Sequence, residues 1–357
     1  MRLPLNGSDP GDVDLLQSTA MIRLAIDRGV NYIDTAYGYH NGKSESAVGQ
    51  ALREGYRARV QLATKLPHWA VESARDMDRI FEEQLTRLEV DRIDCYLLHA
   101  LSHDAWQKLK GLRVLEWAEQ RIKSGQIDHL GFSFHDGPEI FRRIVDEYPW
   151  DFCQIQYNYM DTESQAGTSG LEYAFSKGLP VIVMEPLRGG SLADPPENVR
   201  AIFKQGHPGR SPAEWALQWA WSQPGVLTVL SGMSSMRQVE ENLDAAERSE
   251  ALSIPDRETV TRAKAAYMEI QAIGCTRCGY CMPCPYGVNI PKNFTLYNEA
   301  ERYKNFSGPR WQYSHRLKEQ ERAGFCTHCR RCMDKCPQHL PIPDLMDQVH
   351  QGLGGNG

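Results

Sequence analysis

The chain has 357 residues, with 40 lysines and arginines against 46 aspartates and glutamates and a formal net charge of −6. An acidic balance of this size offers no electrostatic case for a nucleic-acid partner or an anionic membrane surface. No apolar run approaches about 20 residues, and the opening MRLPLNGSDP lacks the apolar core of a secretion signal, so the sequence predicts a cytoplasmic protein without a membrane span.

The length exceeds one ordinary domain and suits a barrel of about 250 residues with an appendage. Short apolar runs alternate with helix-like segments over the first part of the chain. The runs predict strands at residues 2–5, 31–34, 60–65, 93–99, 129–133, 152–156, 180–185 and 226–231. Most are near-continuously apolar rather than alternating, as parallel strands buried on both faces require. Between them, residues 78–88 place Ile80, Phe81, Leu85 and Leu88 on a helical period. Ser73 and Ser211 read as N-caps, and Pro212 sits where a first helical turn tolerates it. Cys95 and Cys153 fall inside strands and read as buried core thiols. Trp215 and Trp219, four apart on one helix, read as packing of a barrel's outer layer. Eight strand–helix units in series predict an α/β fold, a (β/α)8 TIM barrel over residues 1–253. The rival doubly wound sheet usually carries a G-x-G-x-x-G turn after its first strand, and none stands there.

Asp34, Lys65, His99, Ser133, Gln154, Glu185 and Ser231 fall at or near the ends of seven of these predicted strands. In a parallel barrel those ends converge on one face. Each residue alone is most simply a solvated charge or a hydrogen-bonded core group. Their joint placement predicts a site. The segment NYIDTAYGYHNGKSE, residues 31–45, adds Tyr37, Tyr39, His40 and Lys43 after its strand. Reducing a carbonyl needs a hydride on the carbon and an acid for the oxygen. A tyrosine of pKa about 10 serves only when neighbours tune it. A lysine beside it favours the phenolate, an aspartate can pair with the lysine, and a histidine can orient the carbonyl. Trp69, His40, Arg188 and Trp106 are further candidates for a substrate pocket, and an arginine there would suit a carboxylate or phosphate.

Residues 254–273 predict a linker helix, after which cysteine, proline and aromatic residues dominate. Eight of the ten cysteines lie here, as Cys275-x2-Cys278-x2-Cys281-x2-Cys284-Pro and Cys326-x2-Cys329-x2-Cys332-x3-Cys336-Pro. Three thiolates at two-residue spacing wrap three corners of an iron–sulfur cube, and in two-cluster ferredoxins a fourth cysteine followed by proline usually reaches the other cube. The second run has that full pattern, while the first is one residue short before Cys284, which leaves its crosswise ligation open. Zinc is the rival, because Cys-x2-Cys pairs also bind it. Four cysteines packed so densely favour two 4Fe-4S clusters. Between the two runs, residues 294–303 and 311–322 read as helices. This predicts a small, mainly α-helical ferredoxin-like domain within residues 254–357.

These motifs together resemble the aldo/keto reductase family, in the subgroup with a C-terminal ferredoxin-like 4Fe-4S domain. DTAYGY carries Asp34 and Tyr39, LATK carries Lys65, and YLLH carries His99. The resemblance implies Tyr39 as general acid, Lys65 and Asp34 tuning it, and His99 orienting the substrate oxygen. It further implies NADP(H), with NAD left open. GFSFHD supplies Ser133, with Phe134 where the family places an asparagine. QIQYN supplies Gln154, and VMEPLRGG supplies Met184 against the nicotinamide face and Pro186, Leu187 and Gly189 as a loop over the pyrophosphate. LSGMSSMRQVEENL supplies Ser231, Gly232, Met233, Arg237, Gln238, Glu241 and Asn242 around the adenosine end. Met233 stands where a cation usually grips the 2′-phosphate, leaving Arg237 as the nearby positive charge.

The expected function is therefore NAD(P)H-dependent interconversion of a small carbonyl substrate and its alcohol. Three roles for the clusters stay open: structural staples, electron exchange with an external ferredoxin-like carrier, or sensing of redox state. The alternative is an electron-transfer or redox-sensing protein on a barrel with little carbonyl reductase activity.

Overall fold

The computed structural model describes residues 2–248 and 250–355. Its chain divides into two compact units, one of residues 1–189 with 213–254, the other of residues 190–212 with 255–357.

The first unit is a curled parallel sheet of seven strands in sequence order. They are β1 (Tyr32–Asp34), β2 (Gln61–Pro67), β3 (Ile93–Leu101), β4 (Ile127–Phe134), β5 (Phe152–Gln156), β6 (Val181–Met184) and β7 (Val226–Val229). Helix α1 (Leu15–Asp27) precedes β1, and between the strands in this unit lie α2 (Ser44–Ala51), α3 (Ala74–Leu88), α4 (His103–Gly111), α5 (Val114–Lys123), α6 (Pro138–Glu147) and α7 (Gly167–Ser176). Strand followed by helix, all strands parallel and each paired to the next, is the pattern of a (β/α)8 barrel. α3 shows why the local sequence folds as it does. The Asp76 carboxylate accepts the Ser73 N–H at 2.9 Å and stops the helix's start from fraying, while Met77, Ile80, Phe81, Leu85 and Leu88 turn inward.

The strand expected at residues 2–5 does not join the sheet. That segment makes a single antiparallel bridge, Leu5 to Val13, and Asp14 donates its N–H to Pro4 O. Pro4 has no N–H to give a ladder, and the polar turn that follows folds the chain back on itself. Among the described residues no pairing joins β7 to β1. An apolar groove of about 220 Å³ lies between them, lined in part by Tyr32, Ile33, Val229 and Leu230.

The barrel interior explains the site. Ala63, Leu97, Phe152 and Ile182, with Tyr32 and Leu230, form one inward cluster. Strand side chains alternate with a period of two. Two residues further along their strands stand Asp34, Lys65, His99, Gln154 and Met184. Those residues are the next inward layer, at the strands' C-terminal ends. Gly131 serves the layer below: a Cβ there would meet Phe152 at 2.7 Å, so only glycine lets that ring fill the barrel.

In the chain that follows come α8 (Glu197–Gly206), α9 (Pro212–Trp221) and α10 (Met236–Glu247), with α9 and α10 in the first unit. Trp215 is fully buried, and Trp219 packs 5.1 Å from the Tyr157 ring. The second unit is helical, with α11 (Ile254–Glu269), α12 (Ile290–Tyr303), α13 (Ser307–His315) and α14 (Ile342–Leu353). α11 ends before the expected residue 273. The helix expected at 311–322 instead starts at Ser307 and stops at His315, and two 3-10 turns take the chain on to Phe325. Phe294, Leu296, Tyr313, Met346 and Val349 lie in this unit's own core.

Candidate functional site

The inward layer supplies Asp34, Lys65 and His99, and the 3-10 turn Tyr39–Gly42 after β1 brings Tyr39 to the same mouth. Lys65 is fully buried, and its ammonium donates to both Asp34 oxygens at 2.7 Å and to Thr35 O at 2.7 Å. Its Nζ lies 5.2 Å from the Tyr39 ring centre. Tyr39 meets His99 edge to face with ring centres 5.8 Å apart. Trp69, half exposed, stands with its ring centre 5.0 Å from that of His99.

The electrostatics favour particular protonation states. Burial alone would discharge Lys65, but Asp34, Tyr39 and Glu45 hold its pKa above the ordinary lysine value. The Lys65 ammonium pulls the Tyr39 phenol down. Burial and the carboxylates of Asp34 and Glu185 outweigh it, so the phenol lies above the ordinary tyrosine value. Burial, with Lys65 and His135 beside it, holds His99 well below the usual imidazole range. At neutral pH the mouth thus combines an ammonium, a protonated phenol and a neutral imidazole. The His99 Nδ1 is buried without a hydrogen-bond partner, which leaves a polar atom available to a ligand.

The predicted cofactor residues divide. Gln154 Nε2 approaches Met184 Sδ at 3.6 Å, which places those two together, and its Oε1 is buried without a partner. An orphaned amide oxygen beside a thioether suits a carboxamide on an apolar ring, so these residues fit a nicotinamide. Ser133 Oγ accepts the Ala100 N–H at 2.7 Å. Pro186 is buried and Gly189 takes φ 67°, the left-handed region. Asn242 donates to Ser231 Oγ at 3.0 Å. Gly232 lies against the Arg2 side chain, and Gln238 accepts from Ser234 N–H at 2.8 Å. Met233 packs beside the cluster of Met21, Ala25, Val239 and Leu243. Arg237 and Glu241 form an exposed pair at 2.7 Å. A solvent-exposed pair of this kind holds its partners weakly, so either side chain can turn to a ligand.

Other pocket candidates are reassigned. Trp106 is buried and donates to Glu147 at 2.9 Å, so it belongs to the core. The His40 ring accepts from Leu3 N–H at 3.0 Å and ties down the leading segment. Arg188 pairs with Asp161 at 3.1 Å, so it already has an anion. Glu185, one of the predicted strand-end residues, lies near enough to act on Tyr39, whereas His135 and the buried polar set behind Lys65 carry no sequence signature of their own. Only the layered barrel brings them there.

In the second unit, two cavities separate the cysteines crosswise. One is lined by Cys326, Cys329 and Cys332 together with Cys284, and Cys281 also reaches it. The other is lined by Cys275, Cys278 and Cys281 together with Cys336. Among the described residues, no three His, Cys, Asp or Glu side chains converge tightly enough to hold a single metal ion. Four thiols lining one cavity suit an iron–sulfur cube, as the dense cysteine spacing implies.

Comparison with known proteins agrees. The model of the aldo/keto reductase family matches residues 5–263. The chain belongs to the aldo/keto reductase family. A 4Fe-4S dicluster domain model matches residues 274–340, so this aldo/keto reductase is an oxidoreductase with an iron–sulfur domain. It is similar to L-galactose dehydrogenase of Arabidopsis thaliana, 27% identical over 72% of this chain and 86% of that protein. It is also similar to an aldo-keto reductase of Bacillus subtilis, 38% identical over 53% of this chain and 57% of that protein. Among solved structures, an aldo-keto reductase from Klebsiella pneumoniae in complex with NADPH aligns with TM-score 0.58 at 28% identity, over 70% of this chain and 84% of that one. Among the described residues, no helix is long and apolar enough to cross a membrane.

Proposed function

We propose that this aldo/keto reductase interconverts a small aldehyde or ketone and its alcohol with NADP(H), Tyr39 acting as the general acid. The observation that carries this is the buried Lys65 ammonium, clamped by Asp34 with Tyr39 and His99 beside it. A protonated phenol next to a fixed positive charge can give up its proton to a carbonyl oxygen as negative charge grows there. The neutral His99 ring donates a hydrogen bond that orients that oxygen. Asp34 keeps Lys65 charged, and Lys65 stabilises the phenolate left behind until solvent restores its proton.

Gln154, Met184 and Ser133 would hold the nicotinamide, and Ser231 and Asn242 the adenosine end. Pro186, Leu187 and Gly189 would border the pyrophosphate. Arg237, released from Glu241, would meet the 2′-phosphate. The bound cofactor supplies the hydride. NADPH in the Klebsiella structure supports the choice of cofactor.

The second unit would hold two 4Fe-4S clusters, one on Cys326, Cys329, Cys332 and Cys284, the other on Cys275, Cys278, Cys281 and Cys336. A cube moves one electron at a time, so an external ferredoxin-like carrier is the partner such clusters imply.

The test is anaerobic. NADPH is added to the full chain while tryptophan fluorescence is followed, then aldehydes and aldoses are supplied and absorbance at the nicotinamide band is read. Quenching followed by cofactor consumption matched to alcohol formed is expected. No quenching, with a brown chromophore that dithionite bleaches reversibly, would replace this reading with that of an electron carrier.

A further inference from the structure

A second buried charge stands behind the mouth. Glu45, in the first turn of α2, is 0% exposed. Its Oε1 accepts from Thr64 Oγ1 at 2.6 Å and from Gln84 Nε2 at 2.8 Å. Its Oε2 accepts from the Arg87 guanidinium at 3.3 Å. Gln84 also donates to the Lys65 carbonyl at 3.0 Å and accepts from Tyr96 O–H at 2.7 Å. Thr64, Gln84 and Tyr96 are all fully buried. The preceding residue, Ser44, meets Thr35 Oγ1 at 2.8 Å, and the Thr35 carbonyl receives the Lys65 ammonium.

The first turn of α2 therefore grips both strand ends that carry the Asp34–Lys65 pair. Thr64 points out of the barrel and Lys65 into it, as neighbours on a strand must. We propose that Glu45 is a positioning residue for Lys65: its buried carboxylate fixes the end of β2 from outside the barrel and sets a second negative charge behind the ammonium. This rests on the reading of Lys65 as the partner of Tyr39, and it concerns a residue that touches neither substrate nor cofactor.

A bare structural knot could be neutral. Burying an ionised carboxylate costs several kcal/mol unless donors meet it, and here three do. Burial is the larger effect and leaves the Glu45 carboxyl above the ordinary glutamate value, but Thr64, Gln84 and Arg87 offset part of it and the group stays ionised in the alkaline range where Lys65 titrates.

The elements packed around this pair carry the following charged and titratable groups. From α1, Arg23 binds Glu54 and Ala51 O. From the turn before α2 come Tyr39, His40 and Lys43. From β1 comes Asp34, bound to Lys65. From α3 come Arg87, which binds Glu45, and Glu83, which binds Arg79, Arg87 and Tyr37. From β3 come Tyr96 and His99. Among these, Asp34 and Glu45 are the anions that raise Lys65.

The test titrates Lys65 directly, in the full chain, with [13Cε]lysine NMR and its resonance assigned by the Lys65→Met spectrum. It needs no turnover, so it can succeed or fail whatever the substrate proves to be. In Glu45→Gln, which keeps the shape and removes the charge, the Lys65 midpoint should fall by about one pH unit. In Glu45→Asp, which keeps the charge, it should stay within a few tenths of wild type. An unchanged midpoint in Glu45→Gln overturns the proposal, as does an equal fall in both variants, which would mark packing rather than charge. Should Glu45→Gln not fold, Glu45→Met removes the charge with an unbranched side chain of similar length. The Lys65 midpoint should then fall as well, and its failure to move would overturn the proposal equally.

Discussion

His99 shows how burial at a single residue becomes a pH dependence. The folded chain holds its imidazole neutral well below the ordinary value, whereas the unfolded chain protonates it near pH 6.5. As pH falls through 6.5 the unfolded state therefore takes up a proton that the folded state refuses. Stability contributed by this residue is full above that value and is lost below it, by up to about 1.4 kcal/mol per pH unit. His68 and His135 are also held low by burial, so the comparison must isolate His99. Denaturant midpoints at pH 7.5 and 5.5 should separate less in His99→Asn than in wild type, and an equal separation would show that His99 protonates freely in the fold. The four mouth residues were legible in the sequence because each carries a distinctive short motif at a strand end. Glu185 was legible only as a strand-end residue, and His135 not at all, since their effects on Tyr39 and His99 depend on distances across different loops. Arg188 looked available for an anionic substrate, and its pairing with Asp161, 27 residues away in the chain, could not be read from spacing.

Elements were legible where periodicity was strong and local. β5 has the bounds its apolar run predicts, and the amphipathic pattern of residues 78–88 lies within α3. The misses have local causes. Residues 2–5 are apolar enough for a strand, but Pro4 and the polar turn behind them favour a bridge back to Val13. Residues 316–322 continue a helical pattern that packing in the second unit breaks into 3-10 turns. The contact between α2 and α3 was invisible from sequence, and it depends on Gly49. A Cβ there would meet Arg87 O at 2.7 Å and the Leu88 backbone at 2.8 Å. Neither neighbour is a movable side-chain tip, so α2 must lift. Gly49→Ala should therefore destabilise the chain by about 1–3 kcal/mol, read as a lower urea midpoint. Because Glu45 sits on the same helix, that variant should also loosen the grip on β2. A midpoint at or above wild type would show that α2 can shift without cost.

At the scale of the whole molecule, a barrel built for two-electron hydride chemistry shares its chain with a domain built for one-electron clusters. The crosswise lining of the two cysteine cavities makes the second half testable. Cys336→Ala should damage the cluster of Cys275, Cys278 and Cys281, and Cys284→Ala the cluster of Cys326, Cys329 and Cys332, each lowering iron from about eight to about four atoms per chain. If Cys336→Ala instead gave the same paramagnetic signature as Cys326→Ala, ligation would run within each cysteine run rather than across. Chelation of all the iron should unfold the second unit's core, where cysteines pack against Ile342 and Met346. The first half hangs on one phenol. Under anaerobic conditions, with saturating NADPH and a panel of small aldehydes, Tyr39→Phe should lower kcat by about 10²- to 10⁴-fold while leaving NADPH binding unchanged. Equal turnover in wild type and Tyr39→Phe would contradict the account.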